Sequence, residues 1–185
     1  MEKSKTIKRG QVLFSAGEQG AVWQITEGLF RLERASHDGL SLVQLGLPGD
    51  LLGVEALCSE PYVYTITAIT TSQVERVATD RELTRFGIVA KAYLQQQRRT
   101  HDMMLLRGGP VTERLAHLLK LLARDANGCE HELNRRDLPV LKEVASILDI
   151  ATETVCRELS AFLPARVYPR ARRNAWVNDH LALAA

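Results

Sequence analysis

The uneven spacing of glycine is the feature that most constrains how this chain of 185 residues folds. Of its 12 glycines, those at 10, 17, 20, 28, 39, 46, 49 and 53 all precede residue 54. Short apolar or alternating runs lie between them, at residues 11–14, 21–26, 30–34 and 41–47. Short strands separated by glycine turns are typical of a small antiparallel barrel or roll. We therefore expect residues 1–79 to form a β-roll domain.

Two further signals complete this first region. Asp38-Gly39 stands between two strand-like runs and is a strong hairpin signal. Residues 62–71 are rich in β-branched and aromatic side chains and predict another strand, and residues 74–77 predict one more.

After residue 79 the sequence becomes rich in helix-forming residues. Asp80 is placed to cap a short helix to about Phe86, and Gly87 is expected to break it. Residues 88–107 then predict one helix, near 30 Å long. A seam at helical spacing follows this helix: Tyr93, Gln97, Thr100 and Met104. The seam predicts either pairing with a second copy or packing on the chain's own roll.

Gly108-Gly109-Pro110 is the clearest structure breaker and predicts a hinge. It separates a linking segment, residues 80–109, from a C-terminal domain, residues 110–185. Residues 111–124 predict an amphipathic helix with leucines at 115, 118, 119 and 122 on one face, and Asn127-Gly128 closes it.

Residues 139–162, PVLKEVASILDIATETVCRELSAF, match a helix-turn-helix. Two short helices that cross steeply need a small residue at their closest approach, and Ala145 supplies it. Residues 149–151 form the tight turn. The second helix, beginning at Thr152, would present an outward face: Thr152, Glu153, Cys156 and Arg157. Arg157 suits a guanine edge and Glu153 a cytosine amino group. The alternative is a packed helix pair in some other helical domain.

Charge and composition narrow the function classes. Residues 1–80 hold seven Lys and Arg against ten Asp and Glu, whereas residues 81–185 hold 17 against 12. A basic C-terminal half favours a polyanion partner, although solubility alone would also explain it. The longest uncharged run, residues 61–74, is too short and polar for a membrane span. With unpaired Cys and no apolar leader, we expect a cytoplasmic protein.

In order along the chain, these features resemble the Crp/Fnr family of bacterial transcription regulators. The matching segments are residues 8–14, 27–28, 48–53, 55–57, 112–116 and 153–157. The resemblance implies an α+β chain with a cupin-like jelly roll, a long dimerisation helix and a winged helix-turn-helix. It also implies double-stranded DNA, RNA polymerase and a second copy as partners, with no membrane and no enzymatic activity. A palindromic site would receive one recognition helix in each half.

The pattern Glu153-x-x-Cys156-Arg157 is most similar to the FNR/FixK branch, which reads a TTGAT-type half-site. Members that bind a cyclic nucleotide cradle its phosphate with a Gly-Glu step and an Arg further on. Here Glu55 comes one place late after Gly53, and the Arg position falls near Tyr62. No Arg or Lys lies between residues 34 and 76, and a phosphate needs a cation or a nest of donors. We expect no cyclic nucleotide.

Other cofactors are not expected either. No Cys precedes Cys58, so four-thiolate iron–sulfur ligation near the N-terminus is excluded. His37 and His101 are the candidates for haem, and a small-molecule or haem-sensing regulator that uses the roll is the alternative function. A cupin-like enzyme needs several His and a Glu around a metal, and the first 80 residues hold one His.

Two expectations concern the end of the chain and Cys156. Residues 164–177 stand where the family has a wing, and four arginines cluster there: Arg166, Arg170, Arg172 and Arg173. Arg170, Arg172 and Arg173 are expected at DNA phosphates, unless the segment is a solvated loop. Cys156 lies near a helix N-terminus, where negative charge is favoured, and beside Arg157. It is a candidate redox switch, or simply a small groove-facing residue.

Overall fold

The computed structural model describes residues 3–37, 39–133, 135 and 137–163. In this described part of the chain, eight strands and a short 3-10 helix precede four α-helices. The strands are β1 (Ser4–Ile7), β2 (Val12–Phe14), β3 (Trp23–Glu27), β4 (Phe30–Ser36), β5 (Gly39–Gly46), β6 (Leu51–Leu52), β7 (Thr65–Ala68) and β8 (Ser72–Arg76). The 3-10 helix spans Val54–Cys58, and the α-helices are α1 (Glu82–Arg107), α2 (Val111–Leu122), α3 (Leu141–Leu148) and α4 (Thr152–Phe162). A β-rich N-terminal region with helices after it is therefore confirmed.

The strands form two antiparallel sheets, ordered β1-β8-β3-β6 and β2-β7-β4-β5. The hairpin expected around residues 38–39 is present, because β4 and β5 pair from Phe30↔Gly46 to Ser36↔Gly39. Asp38 itself lies outside the described residues. The strand predicted over residues 62–71 is present, but its bounds were wrong: only Thr65–Ala68 pairs, and Tyr62 is buried in the roll instead.

The prediction that Gly87 breaks the first helix was also wrong. The helix α1 runs through Gly87 and begins at Glu82 after an extended Arg81, without the expected Asp80 cap. An interior glycine costs a helix about 1 kcal/mol. Burial of the next residue offsets that cost, since Ile88 packs into a small cluster with Val22 and Leu51 of the roll. Tertiary packing therefore overrides the local breaker.

The remaining helices follow the sequence more closely. The helix α1 ends at Arg107 and α2 begins at Val111, so residues 108–110 interrupt the helical structure as predicted. The helix α2 stops at Leu122, earlier than expected, and a small turn follows in which Asp125 accepts hydrogen bonds from the backbone N–H groups of Asn127 and Cys129. No helix among the described residues is both long and apolar enough to cross a membrane.

Two large apolar clusters hold the fold together. The roll core lies between the two sheets and comprises Ile7, Phe14, Trp23, Ile25, Phe30, Leu32, Leu52, Tyr62, Ile66, Ala68 and Val74. The shared core joins the outer face of the roll to all four helices. It comprises Leu29, Leu42, Leu45, Leu47, Ile69, Leu106, Leu115, Leu118, Leu121, Val144, Ala145, Ile147, Leu148, Val155 and Leu159.

Candidate nucleic-acid interface

A tight turn sets the angle between α3 and α4. Asp149 adopts the left-handed conformation, with φ 52° and ψ 54°. A side chain at this conformation is strained, and Asp tolerates it better than most residues. The backbone N–H of Ile150 donates to the carbonyl oxygen of Ala145 at 3.1 Å and closes the turn. Ala145 is buried in the shared core, which also contains Val155 and Leu159 of α4.

The inner faces of the helix pair are apolar. Val144 and Leu148 of α3 and Val155 and Leu159 of α4 are all buried in the shared core. Their spacing leaves one face of α4 free of the core. Of the residues expected to face outward, Glu153, Cys156 and Arg157 are exposed and Thr152 is half-buried.

The exposed face of α4 carries an arginine in a solvent-exposed ion pair. Arg157 Nε lies 3.2 Å from Glu158 Oε1, but the Arg157 side chain is 74% exposed. Pairs this open are worth little, so the guanidinium is free to take another anion. The Ser160 hydroxyl donates to the carbonyl oxygen of Cys156 at 2.9 Å. The Cys156 thiol, like those of Cys58 and Cys129, is exposed and free.

Two arginines that sequence reasoning missed position this helix pair. Arg114 of α2 donates to the carbonyl oxygens of Leu106 at 3.0 Å and of Asp149 at 3.4 Å, so it ties the end of α1 to the turn. Arg135 donates to the carbonyl oxygen of Leu163, just after α4, and to the Ser160 hydroxyl in the last turn of α4. The only sequence signal for Arg114 was its place in residues 112–116, and Arg135 gave none.

The sheet that contains β4 holds α3 through a salt bridge. Arg31 of β4 contacts Glu143 at 3.1 Å and the Ser146 hydroxyl at 3.4 Å, both on α3. Its Nε lies 3.0 Å from Glu33 Oε1, at an angle too poor for a hydrogen bond. Glu33 is buried and also accepts from the Thr67 hydroxyl. This contact fixes α3 against β4.

A second polar network joins the roll to α1 and α2. Arg99 of α1 forms a two-pronged pair with Asp50 of the roll, at 2.7 and 2.9 Å, and contacts Asp102 at 2.6 Å. His117 of α2 lies 3.1 Å from the other oxygen of Asp102. Burial lowers the pKa of Arg99, and the hydrogen bonds and charges of Asp50 and Asp102 outweigh it, so the net shift is upward. Arg99 is therefore a permanent cation at this junction.

The predicted seam on α1 points away from the roll. Tyr93 and Met104 are 64% and 67% exposed, and Gln97 and Thr100 are exposed with them. This removes the alternative in which these residues pack on the chain's own roll. Because α1 continues through Gly87, the same spacing extends to two further exposed side chains, Leu83 and Phe86.

A stacked pair of aromatic rings lies inside the roll. Tyr62 stacks on Phe14 with ring centroids 3.7 Å apart, and its hydroxyl donates to the carbonyl oxygen of Ala21 at 2.8 Å. Gly53 lies against the same ring: a Cβ added there would meet Tyr62 Cε1 at 2.5 Å. Burial is the main cause that raises the pKa of Tyr62, against the opposing effect of its hydrogen bond to Ala21.

Comparisons with known proteins agree with this architecture. Residues 4–82 match the cyclic nucleotide-binding domain. The transcriptional activator protein FnrA of Stutzerimonas stutzeri is 25% identical over 174 residues, which cover 88% of this chain and 71% of that protein. A CRP-family transcriptional regulator from Thermus thermophilus is 26% identical with a TM-score of 0.62, over 85% of this chain and 83% of that one. Over most of its length the chain is thus similar to transcriptional regulators of the CRP and Fnr type.

FixK2 from Bradyrhizobium japonicum shares the fold with a TM-score of 0.65 at 23% identity, over 88% of this chain and 84% of that one. Both named relatives at 25% identity or more are transcriptional regulators rather than enzymes. A roll of this shape therefore occurs in a transcriptional regulator.

The domain match raises the question of whether this roll fits a cyclic nucleotide, and the side chains near Gly53 argue against it. The ring of Tyr62 occupies the space beside Gly53, where the family's phosphate cradle begins. Glu55 is engaged as well, since one carboxylate oxygen accepts from the backbone N–H of Val63 at 3.3 Å. Arg31 of β4 is engaged elsewhere, since its guanidinium contacts Glu143 of α3.

The remaining predicted residues do not converge on one site among the described residues. His37 and His101 are both exposed, one in the β4–β5 turn and the other on α1. Within the described residues, no three His, Cys, Asp or Glu side chains form a group that could hold a metal. Arg166, Arg170, Arg172, Arg173 and the wing predicted over residues 164–177 lie outside the described part of the chain.

Proposed function

We propose that this chain is a sequence-specific DNA-binding transcription regulator that binds a palindromic site as a homodimer. The observation that carries the proposal is the polar face of α4, with Glu153, Cys156 and Arg157 exposed on a helix whose opposite face is buried. A helix supported in this way fits the major groove, which is wide enough to admit it. The helix pair is then a helix-turn-helix, α4 is its recognition helix, and RNA polymerase is the further partner.

The dimer rests on the exposed seam of α1. Its side chains follow a seven-residue repeat: Leu83, Phe86, Ala90, Tyr93, Gln97, Thr100 and Met104. Residues at these positions meet the same positions of a second helix in a coiled coil. The opposite face of α1 holds the roll through Gln95, whose side chain exchanges two hydrogen bonds with the backbone of Leu51. A paired α1 would carry both α4 helices into neighbouring half-sites, about 34 Å apart.

The polar Gln97 and Thr100 weaken the seam compared with a continuous apolar one. Gln97 is already engaged, since its side-chain amide donates to the Tyr93 hydroxyl at 3.0 Å. We therefore expect DNA to assist assembly, because a ligand that binds only the dimer stabilises it.

Base reading is tested by fluorescence anisotropy on a duplex with two TTGAT-type half-sites and on a scrambled duplex. Arg157→Ala is expected to cost about 1–3 kcal/mol per half-site on the palindrome and little on the scrambled duplex. Arg170→Ala is expected to weaken both duplexes alike and to flatten the salt dependence. The control is Arg9→Ala, which removes one exposed charge from the roll. Equal losses for Arg157→Ala on both duplexes would show that Arg157 does not read bases.

The dimer is tested by sedimentation velocity with and without the palindromic duplex. The wild type is expected to sediment as a dimer at micromolar concentration. Phe86→Glu with Met104→Glu is expected to give a monomer, because four carboxylates would face one another across the seam. Thr84→Glu is the matched control, since Thr84 is exposed on the same helix away from the seam. A wild-type monomer under both conditions would contradict the proposal.

We also propose that oxidation of Cys156 modulates DNA binding. The thiol is exposed on the proposed DNA face, one position before Arg157. Peroxide oxidises a thiolate to sulfenic acid and is itself reduced to water, and further oxidation adds negative charge. Added bulk and charge a few Å from phosphates would weaken binding.

The control for this second proposal comes from the other two exposed cysteines. Peroxide is expected to reduce DNA affinity of the wild type and of Cys58→Ser with Cys129→Ser, but not of Cys156→Ser. A thiol-specific reductant is expected to return the sulfenic acid to the thiol and so to restore DNA binding. Equal loss in the wild type and in Cys156→Ser, or loss in neither, would reject the switch.

A further inference from the structure

The interior of the roll holds a side chain in the manner of a bound ligand. Tyr62 is 4% exposed, and its ring lies against Phe14 in a stacked geometry, with an angle of 23° between the planes. Its backbone is held at both ends: the N–H donates to the carbonyl of Glu18 at 2.8 Å, and the carbonyl accepts from Gly17 at 2.9 Å. The ring therefore has a single fixed position.

Two glycines from separate segments form the slot around this ring. A Cβ at Gly20 would come 2.2 Å from the Tyr62 hydroxyl oxygen, and a Cβ at Gly53 would come 2.5 Å from Cε1. Side chains at either position would clash with the ring, so the backbone approaches it closely on two sides. The phenol hydroxyl is satisfied by the carbonyl oxygen of Ala21. The slot thus matches an aromatic ring with one hydrogen-bond donor.

The group that accepts this hydrogen bond lies next to the base of α1. Val22, directly after Ala21, is buried against Ile88 of α1, and Leu51 completes that cluster. The 3-10 helix after Gly53 also contacts α1, since Arg85 donates to the carbonyl of Leu57 at 3.2 Å. The ring in the slot contacts the segments at residues 21–22 and after Gly53. Both segments contact the first turns of α1, where its seam begins.

We propose that Tyr62 is a built-in occupant of the roll, supplying covalently the aromatic ring and hydrogen-bond donor that a small molecule would otherwise bring. The roll is then in its loaded form without an added effector, and cyclic nucleotides do not enter it. This inference concerns the regulation of the proposed DNA binding and rests on that function only for its last readout. If Tyr62 is an occupant, a cavity made by truncating it should take up a free phenol, because empty apolar cavities bind matching aromatics.

The experiment compares Tyr62→Ala with the wild type and with Tyr64→Ala, a half-buried tyrosine two residues away. Tyr62→Ala is expected to lower Tm by about 10 °C. Millimolar phenol should raise the Tm of this variant saturably, and benzene should raise it less because it cannot donate to Ala21. Phenol is expected to leave the wild type and Tyr64→Ala unchanged, and calorimetry should detect phenol binding to Tyr62→Ala alone.

The last readout is affinity for the palindromic duplex, expected to fall about tenfold in Tyr62→Ala and to recover with phenol. The Tm and calorimetric readouts need no DNA, so a failure of the proposed function would leave them intact. A Tyr62→Ala protein that folds without responding to phenol would overturn the proposal. If that variant does not fold even with phenol, Tyr62→Phe decides: it should fold and bind DNA more weakly. A saturable rise in wild-type Tm with cyclic AMP would also overturn it.

Discussion

The roll core and the shared core are both buried, but only one of them is complete within a single part of the chain. Every member of the roll core lies between residues 7 and 74, and its one phenol is satisfied by a backbone carbonyl nearby. The shared core takes residues from β5 and neighbouring loops of the roll and from all four helices. The first closes the roll on itself, whereas the second makes the orientation of the helix pair depend on the roll.

The polar contacts follow the same division. Around the shared core, Arg99 with Asp50 and Arg31 with Glu143 join residues 49 and 112 positions apart in the chain. Such pairs fix direction, which apolar contacts do not. A change in the roll core away from Tyr62 should therefore alter stability alone, and a change at the junction should alter stability and DNA binding together.

The largest effects are expected from truncations in the two cores. Phe30→Ala in the roll core and Leu118→Ala in the shared core should cost about 3–5 and about 2–5 kcal/mol, because both side chains are fully buried. Unfolding in urea is followed by Trp23 fluorescence for the roll, with Trp176 replaced by Phe, and by far-UV circular dichroism for the helices. Leu118→Ala should shift both transitions together. A shift confined to the helices would show that the core is not shared.

The next effect concerns the buried ion network at the junction. Arg99→Met should destabilise the protein by about 3–5 kcal/mol, since Asp50 would remain buried without its cation. Its neighbour Arg98 is exposed, and Arg98→Met should change stability by no more than about 0.5 kcal/mol. Chemical denaturation of both variants measures the difference. Similar values would mean that the network does not join the two parts.

A smaller effect is expected where β4 meets α3. Arg31→Met should cost about 1–2 kcal/mol, because the lost contacts with Glu143 and Ser146 are partly open to solvent. Hydrogen exchange should show faster exchange in α3 while the interior strands of the roll stay protected. Arg34→Met on the exposed end of β4 is the control. Unchanged exchange in α3 would argue against this contact as a restraint.

The smallest effect at neutral pH belongs to the Tyr62 hydroxyl. Its pKa is raised in the folded protein, so the folded state holds the phenol proton more tightly than the unfolded state does. The stabilisation is full below pH 10.0, the ordinary value, and is lost as pH rises through the higher folded pKa. Tyr62→Phe should therefore lose stability less steeply than the wild type above about pH 10. Parallel curves from pH 8 to 11 would contradict this.

Local patterns account for much of this fold. Glycine turns and β-branched runs located most of the strands, the Gly-Gly-Pro break located the end of α1, and apolar spacing located α2 to α4. Strands β1 and β6 were missed because they are short and depend on distant partners, β8 and β3. Gly87 misled the prediction because its helical cost is small beside the burial of Ile88.

The site residues could likewise be predicted from the sequence only in part. The exposed residues of α4 follow from helical spacing alone. The contacts of Arg99 and Arg31 could not be read from the sequence, since no local rule pairs residues so far apart. Tyr62 was placed near the phosphate-binding position by the resemblance, but its own occupation of the slot depends on Gly20 and Gly53 packing against it.

The most direct test of the central claim is one titration of purified protein against the palindromic and scrambled duplexes, with and without cyclic AMP. A sealed roll and an exposed α4 predict tight, salt-dependent binding to the palindrome, much weaker binding to the scrambled duplex, and identical curves when cyclic AMP is added. Specific binding that arises only after cyclic AMP is added, or equal affinity for both duplexes, would contradict the claim.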